Sequence, residues 1–207
     1  MKGNLNMQIT NNNHNVMIDY LVGKTDMELI PRILREIVLV IAGSILVAIA
    51  AQLYLPLPFS PVPITGQTFA VLFLAALYGN NRGGLTVLTY LILGIIGRPV
   101  FASGAFGIAT IIGPTGGYLV GFLPAAYIVG FLSKRRWDRQ AWSTAMSMII
   151  GNIIIYLSGT AWLSQFVGWD HVLQLGVIPF LIGDAAKIAL AMVLLPTGWK
   201  LLDKYNN

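Results

Sequence analysis

Residues 173–195 read LQLGVIPFLIGDAAKIALAMVLL, an apolar run long enough to cross a bilayer that contains one acid and one base, Asp184 and Lys187. Residues at i and i+3 share one helix face, so these side chains can neutralise each other and still offer donors and acceptors to a ligand. Both are therefore leading candidates for a binding site. The alternative is an inward-facing ion pair that only fixes helix packing.

The composition of the whole chain indicates an integral membrane protein. Of 207 residues, 56% are hydrophobic and 10% are charged, more apolar surface than a soluble domain of this size can bury. The chain has no cysteine, and its two histidines, His14 and His171, stand apart, so we expect no disulfide, no metal site and no cofactor. The net charge of +5 fits loops that face anionic lipid. No motif for nucleic-acid binding is present.

The hydropathy pattern predicts an all-α fold with six transmembrane helices. Two of the six segments are short for a span and are separated by the turn 79–84. They form either two spans or one re-entrant hairpin, which would leave four spans. The predicted segments are 37–55, 66–79, 84–97, 116–133, 141–166 and 174–196.

The distribution of Lys and Arg predicts that both termini are cytoplasmic. With the N-terminus inside, Arg98 alone lies outside and Lys187 lies within the membrane. All other basic residues then fall on the cytoplasmic side, as the positive-inside rule requires. We divide the chain into a polar N-terminal tail (1–30), a six-helix membrane domain (31–200) and a short C-terminal tail (201–207).

A proline-rich segment, LPLPFSPVP at 55–63, predicts an extended and stiff connection, because each proline fixes φ and removes an N–H group. We interpret it as a lid or linker. Thr65 and Gln67 follow at the start of a helix. Gln67 is a candidate ligand contact; the alternative is that Thr65 caps the helix and Gln67 faces a water-filled vestibule.

Three further features have both a functional and a packing interpretation. Asn152 and Tyr156 form a polar stripe that either contacts a ligand or joins two helices by hydrogen bonds. Ser103 could act as a nucleophile only with Lys187 as its base, and Asp184 beside that lysine disfavours this role. The small residues of the first span suit close packing, either within the chain or against a partner subunit; they are Ser44, Ala48 and Ala51.

The order of four motifs carries a family resemblance. They are PVPIT at 61–65 followed by Gln67, GIIGRPV at 94–100, GPTGGY at 113–118 and GDAAK at 183–187. From about residue 35 to residue 200 the chain resembles the BioY family, the biotin-binding S components of energy-coupling factor (ECF) vitamin transporters. The segment GPTGGY lacks the Lys-Ser/Thr of a Walker motif, so we expect no nucleotide hydrolysis by this chain.

The resemblance implies a six-helix S-component bundle that binds biotin near the extracellular side and works with a coupling transmembrane subunit and two ATPases. It implies that Asp184 and Lys187 belong to the vitamin site and that Tyr118 lies beside it. At two positions where some relatives have polar side chains, this chain has Ala105 and Leu119. The Ser44/Ala48/Ala51 face would then be the docking surface for the coupling subunit.

Charge balance suggests how biotin would be held. If Asp184 and Lys187 cancel, the biotin carboxylate needs another cation or several donors, and Arg98 is the remaining cation on the outer side. We therefore expect Arg98 to close the mouth of the site, with Phe101, Phe106 and Tyr118 around the ring. The alternatives are an S component for another vitamin, a carrier that needs no ATPase, or an intramembrane enzyme.

Overall fold

The computed structural model describes residues 16–22 and 29–205, which are mostly helical. Two short strands lie between the second and third helices, so the all-α prediction omits one small element. The elements, in chain order, are α1 (Met17–Leu21), α2 (Leu29–Gln52), β1 (Tyr54–Leu57), β2 (Ser60–Thr65), α3 (Gln67–Ile95), α4 (Ile108–Ile112), α5 (Gly116–Lys134), α6 (Ala141–Val167), α7 (Trp169–Gly176) and α8 (Leu181–Tyr205).

Four stretches of the described chain are long and apolar enough to cross a membrane. They are Arg32–Gln52, Gly116–Lys134, Ala141–Val167 and Trp169–Lys204. The last stretch differs from the predicted span 174–196, because the chain breaks near Pro179 into a separate short helix, α7, and the long helix α8.

Helix α3 is a hairpin of two helical halves. Gly79 has φ 79° and ψ 176°, which interrupts the helix. The Gln67 side chain donates a hydrogen bond to the Tyr90 hydroxyl, although a straight helix would hold residues 23 positions apart about 35 Å from each other. The halves therefore run back alongside each other and correspond to the two short predicted segments.

The proline-rich connection is an antiparallel β-hairpin rather than a structureless linker. Tyr54 pairs with Thr65 and Leu57 with Ser60, with an irregularity between Leu55 and Leu57. A two-stranded hairpin has two open edges, so prolines can stand where no ladder donor is required. The hydroxyl of Ser60 donates to the Leu175 carbonyl at 2.8 Å and ties the hairpin to α7.

Helix α3 lies at the centre of the bundle, between α2 and α5, and α6 packs against both α5 and α8. Glycines allow the closest approaches. A Cβ at Gly117 or Gly121 of α5 would collide with Ser158 of α6, and one at Gly130 would collide with the backbone at Asn80. Residues on α5 and the first half of α3 supply much of the buried core.

The predicted docking face on α2 is largely buried, which favours its alternative interpretation as internal packing. Ser44 and Ala51 are completely buried, and Ala48 is partly buried. The Ser44 hydroxyl donates to the Thr86 carbonyl at 2.8 Å, so this face packs α2 against α3 inside the chain. The opposite side of α2 is the exposed one and is rich in isoleucine, including Ile37, Ile41, Ile45 and Ile49.

Part of the predicted N-terminal tail packs on the bundle. Helix α1 buries Met17, which lies against Gly198 of α8, and Val16 lies against Gly79. The Tyr20 ring meets the Trp199 ring edge to face. The rest of the predicted tail, at 1–15 and 23–28, lies outside the described residues, as do residues 206–207. Helix α8 extends through the predicted boundary at residue 200.

A buried carboxylate lies at the end of the bundle where α1 packs. Asp138, between α5 and α6, accepts a hydrogen bond from the Trp199 indole N–H at 2.6 Å. Arg139 stacks over the same indole ring, with its guanidinium carbon 3.9 Å from the ring centroid. Burial raises the pKa of Asp138 above its ordinary value, and the indole donor opposes that shift.

Candidate functional site

A cavity of about 220 Å³ lies between the β-hairpin and five of the helices that follow it, α3, α4, α5, α6 and α8. Its walls are mostly apolar, and its polar groups come from several segments that are far apart in sequence. Such a concave, largely apolar site with few convergent polar groups is typical of small-molecule binding. The lining residues are Val62, Pro63, Thr65, Gln67, Thr68, Phe101, Ala102, Ala105, Thr110, Thr115, Tyr118, Leu119, Phe122, Asn152, Ile155, Tyr156, Phe180, Asp184 and Lys187.

Asp184 and Lys187 form an ion pair in the cavity wall. The Lys187 ammonium lies 3.1 Å from Asp184 Oδ1, and the two residues are three positions apart on α8. Asp184 is only 6% exposed. The Lys187 ammonium also donates to the Thr68 hydroxyl at 2.8 Å, which connects α8 to the start of α3.

Tyr156 completes this polar cluster. Its hydroxyl donates a hydrogen bond to Asp184 Oδ2, so the carboxylate receives one donor on each oxygen. The cluster joins α3, α6 and α8 and fixes the orientation of Asp184 before any ligand is present. Each carboxylate oxygen has a further lone pair, and the ammonium has a third N–H, so capacity for a ligand remains.

Tyr118 is fixed by hydrogen bonding and by a glycine-lined space. Its hydroxyl donates to the Gly176 carbonyl at 2.9 Å. Its ring lies where a side chain at Gly159 would have to be, and its hydroxyl lies where one at Gly176 would have to be. The glycines of α6 and α7 thus let α5 place an aromatic wall along the cavity.

Gln67 is buried and lines the cavity, but its side-chain amide has protein partners. It donates to the Tyr90 hydroxyl and accepts from the Thr65 hydroxyl at 3.1 Å. The Thr65 hydroxyl also accepts from the Gln67 backbone N–H at 3.3 Å. The capping interpretation of Thr65 therefore agrees with this geometry, and a ligand contact through Gln67 stays a prediction.

The cavity brings together six of the eight predicted ligand-site residues, namely Gln67, Phe101, Tyr118, Asn152, Asp184 and Lys187. Arg98 and Phe106 are exposed and do not line the cavity, so a ligand contact by either one stays a prediction. Both belong to a loop whose chain reverses, so only some of its side chains point inward. Ser103 does not line the cavity either, which removes the geometric basis for a serine–lysine pair.

Four threonines of the cavity wall are not among the predicted ligand contacts, and Tyr156 is predicted only as one of two alternatives. Tyr156 carries a sequence signal, since it lies one turn from Asn152 on an otherwise apolar helix. Thr65 and Thr115 belong to the motifs PVPIT and GPTGGY, whereas Thr68 and Thr110 carry no signal that separates them from ordinary capping or helix-surface residues. Their placement depends on how distant segments pack.

The chain matches the BioY family over residues 16–204. It is 38% identical to a probable biotin transporter BioY of Pyrococcus horikoshii over 161 residues, which covers 77% of this chain and 93% of that protein. It is 36% identical to the biotin transporter BioY of Thermotoga maritima over 157 residues, covering 75% and 92%.

A solved structure has the same fold. It is described as the crystal structure at 2.1 Å of the S-component for biotin from an ECF-type ABC transporter. The TM-score is 0.74 at 26% sequence identity, and the match covers 84% of this chain and 95% of the other. With the family match extending over nearly the whole described chain, these findings establish that the protein belongs to the BioY family.

Proposed function

We propose that this chain binds biotin in the 220 Å³ cavity and serves as the substrate-capture component of an ECF-type vitamin transporter. The observation that carries the proposal is the oriented Asp184–Lys187 pair, which faces an otherwise apolar cavity in a chain of this family. Intramembrane ionisable groups that face a cavity mark substrate sites more often than packing sites.

The polar cluster matches the ureido group of biotin. That group offers two N–H donors and one carbonyl acceptor, and the cluster offers a carboxylate that accepts and an ammonium that donates. Asp184 and Lys187 are already paired at 3.1 Å, so a neutral polar group adds no unbalanced charge to the site. The apolar ring of biotin then lies against Phe101, Tyr118 and Phe122, which line the same cavity.

The carboxylate of biotin requires a different arrangement from the one in which Arg98 closes the site. The Arg98 side chain is exposed and outside the cavity wall. Where some relatives have polar groups, Ala105 and Leu119 present apolar surface to the cavity. We propose that the Thr115 hydroxyl, at the start of α5, holds the carboxylate together with water, because the Thr110 hydroxyl donates to the Phe106 carbonyl at 3.0 Å.

The proposed transporter has six spans, with each half of α3 counted as one crossing. Helices α2, α5, α6 and α8 supply the other four, and the six crossings return the C-terminus to the side of the N-terminus. The basic residues near 134–139 and 200–204 then face the cytoplasm. A coupling transmembrane subunit and two ATPases would supply the energy for uptake, as in ECF transporters.

Equilibrium binding of labelled biotin to the detergent-purified single chain tests the proposal. Riboflavin, thiamin and folate serve as competitors. Saturable binding that only unlabelled biotin displaces is the expected result. Displacement by another vitamin would make that compound the substrate, and the absence of saturable binding by folded protein would contradict the proposal.

Uptake into liposomes separates an ECF-coupled component from a carrier that works alone. We expect liposomes that contain this chain by itself to bind biotin without accumulating it. Accumulation of labelled biotin without any ATPase would show that the chain needs no partner subunits.

A further inference from the structure

The loop at 97–107 forms one wall of the cavity and has glycines in left-handed conformations at both ends. Phe101, Ala102 and Ala105 line the cavity from this loop. Gly97 and Gly107 bracket it with φ values of 101° and 84°, a left-handed region that favours glycine. A Cβ at either position would meet no atom within 4 Å, so these glycines serve backbone conformation rather than packing.

One buried side chain anchors the middle of the loop. The Phe101 ring is 1% exposed and meets the Tyr90 ring edge to face, with centroids 5.5 Å apart. It occupies the space where a side chain at Gly94 would be. At the base of the loop, the Gly107 backbone N–H donates to the Gly94 carbonyl at 2.7 Å.

A second attachment comes from Gln52, the last residue of α2. Its side-chain amide donates to the Phe101 carbonyl at 3.1 Å, and its carbonyl oxygen accepts from the Gly104 N–H at 3.1 Å. The amide also lies 3.2 Å from the Ala48 carbonyl, which fixes the side chain to its own helix. One side chain therefore holds both ends of the 101–104 turn against α2.

These contacts differ in how easily they can be broken. Phe101 is buried in the core, so removing its ring would leave a cavity and destabilise the fold. Gln52 is exposed, and its hydrogen bonds can be exchanged for bonds to water at small net cost. Gln52 is thus suited to hold the loop reversibly.

We propose that Gln52 is a positioning residue that clasps the 97–107 loop over the cavity and thereby slows the exit of the bound ligand. The part about the ligand rests on the proposed function, biotin binding. The clasp itself is a property of the unliganded chain and can be tested without any ligand.

Hydrogen–deuterium exchange of the unliganded full chain tests the clasp. In Gln52→Ala we expect amides at 98–106 to exchange about tenfold faster, the effect of losing two hydrogen bonds of modest net strength, while α5 and α6 keep their protection. Gln165→Ala, which truncates an exposed glutamine near the end of α6, should leave the loop unchanged. Unchanged loop exchange in folded Gln52→Ala would overturn the proposal.

Gln52→Glu separates the two halves of the clasp. A carboxylate still accepts from the Gly104 N–H but has no donor for the Phe101 carbonyl. A carboxylate oxygen and the Phe101 carbonyl oxygen, both acceptors, would then repel each other. We expect loop exchange at least as fast as in Gln52→Ala. Exchange equal to that of the wild type would show that the Phe101 contact contributes nothing and would refute a two-point clasp.

The dissociation rate of labelled biotin, measured by a chase with unlabelled biotin, tests the functional consequence. We expect a rate about tenfold higher in Gln52→Ala, with an association rate that is not reduced. Faster loop exchange with an unchanged dissociation rate would show that ligand does not leave past this loop and would overturn that role. If the wild type binds no biotin, the proposed function fails, and hydrogen exchange still decides the clasp.

Discussion

Two clusters of charged residues in the chain differ in their position relative to the cavity. On α8, Asp184 and Lys187 pair within one helix and face a cavity. At the turn of the α3 hairpin, Arg82 forms ion pairs with Asp19 of α1, at 2.6 Å, and with Glu36 of α2. Arg82 does not line the cavity.

The difference shows how a binding site and a structural tie can be distinguished among similar residues. The Arg82 cluster spans three elements, and its guanidinium donates to carboxylates on two of them. The Asp184–Lys187 cluster also spans three elements, through Thr68 and Tyr156, but it lines the cavity and keeps hydrogen-bonding capacity toward it. Loss of the first cluster should therefore affect stability, and loss of the second should affect ligand affinity.

Asp184→Asn should have the largest effect on binding. The amide removes the negative charge that balances Lys187 and replaces one of the two acceptor oxygens, which Tyr156 and Lys187 bind, with a donor NH2 group. We expect biotin affinity to fall by about 100-fold, since a hydrogen bond to a charged group contributes about 1.5–3 kcal/mol. Equilibrium binding checks this, with thermal unfolding as the test that the variant folds. Wild-type affinity in Asp184→Asn would remove the basis for treating α8 as the binding element.

Arg82→Gln should show the opposite pattern. Removal of the guanidinium leaves Asp19 and Glu36 facing each other, and because these side chains are partly exposed we expect a loss of about 2 kcal/mol. That corresponds to a decrease of roughly 4–8 °C in the unfolding midpoint for a chain of this size. Lys200→Gln, at an exposed position, is the matched control. A large fall in biotin affinity without a loss of stability would reverse the assignment.

Tyr156→Phe sharpens the comparison within the binding cluster. The ring stays, and only the hydroxyl that donates to Asp184 is lost. We expect about a tenfold lower affinity, the usual scale for a hydrogen bond to a charged group. Tyr127→Phe, at an exposed tyrosine of α5, provides the control in the same binding assay. Equal affinities in both variants would mean that Asp184 needs no orientation by Tyr156.

Arg98→Ala should have the smallest effect. The side chain is exposed and does not line the cavity, so we expect affinity within about twofold of the wild type and a weak dependence on salt. Biotin titrations at low and high salt measure this. A large loss that disappears at high salt would instead support direct capture of the carboxylate by Arg98.

The sequence predicts the helical segments well, because the hydropathy of a segment and its interruption by Gly or Pro are local properties. Segments 116–133 and 141–166 agree with α5 and α6 to within one residue at each end. The β-hairpin at 54–65 is missed because prolines are usually counted against strands, although a small open-edged hairpin tolerates them.

Side-chain direction and packing partners are harder to predict, because they depend on contacts between distant segments. Phe101 and Phe106 lie in one loop and look alike in the sequence, yet the first is buried and the second is 57% exposed. Ser44 and Ala51 are small enough for any interface, and only the position of α3 shows that they pack internally. Asp184 and Lys187 stand out in sequence because charge is rare in an apolar helix.

The position of bound biotin tests the central claim most directly. A structure of the purified chain saturated with biotin should place the ureido group within hydrogen-bonding distance of Asp184 or Lys187, with the ring beside Tyr118. Biotin bound outside this cavity, with the Asp184–Lys187 pair unchanged and free of ligand contacts, would contradict the account.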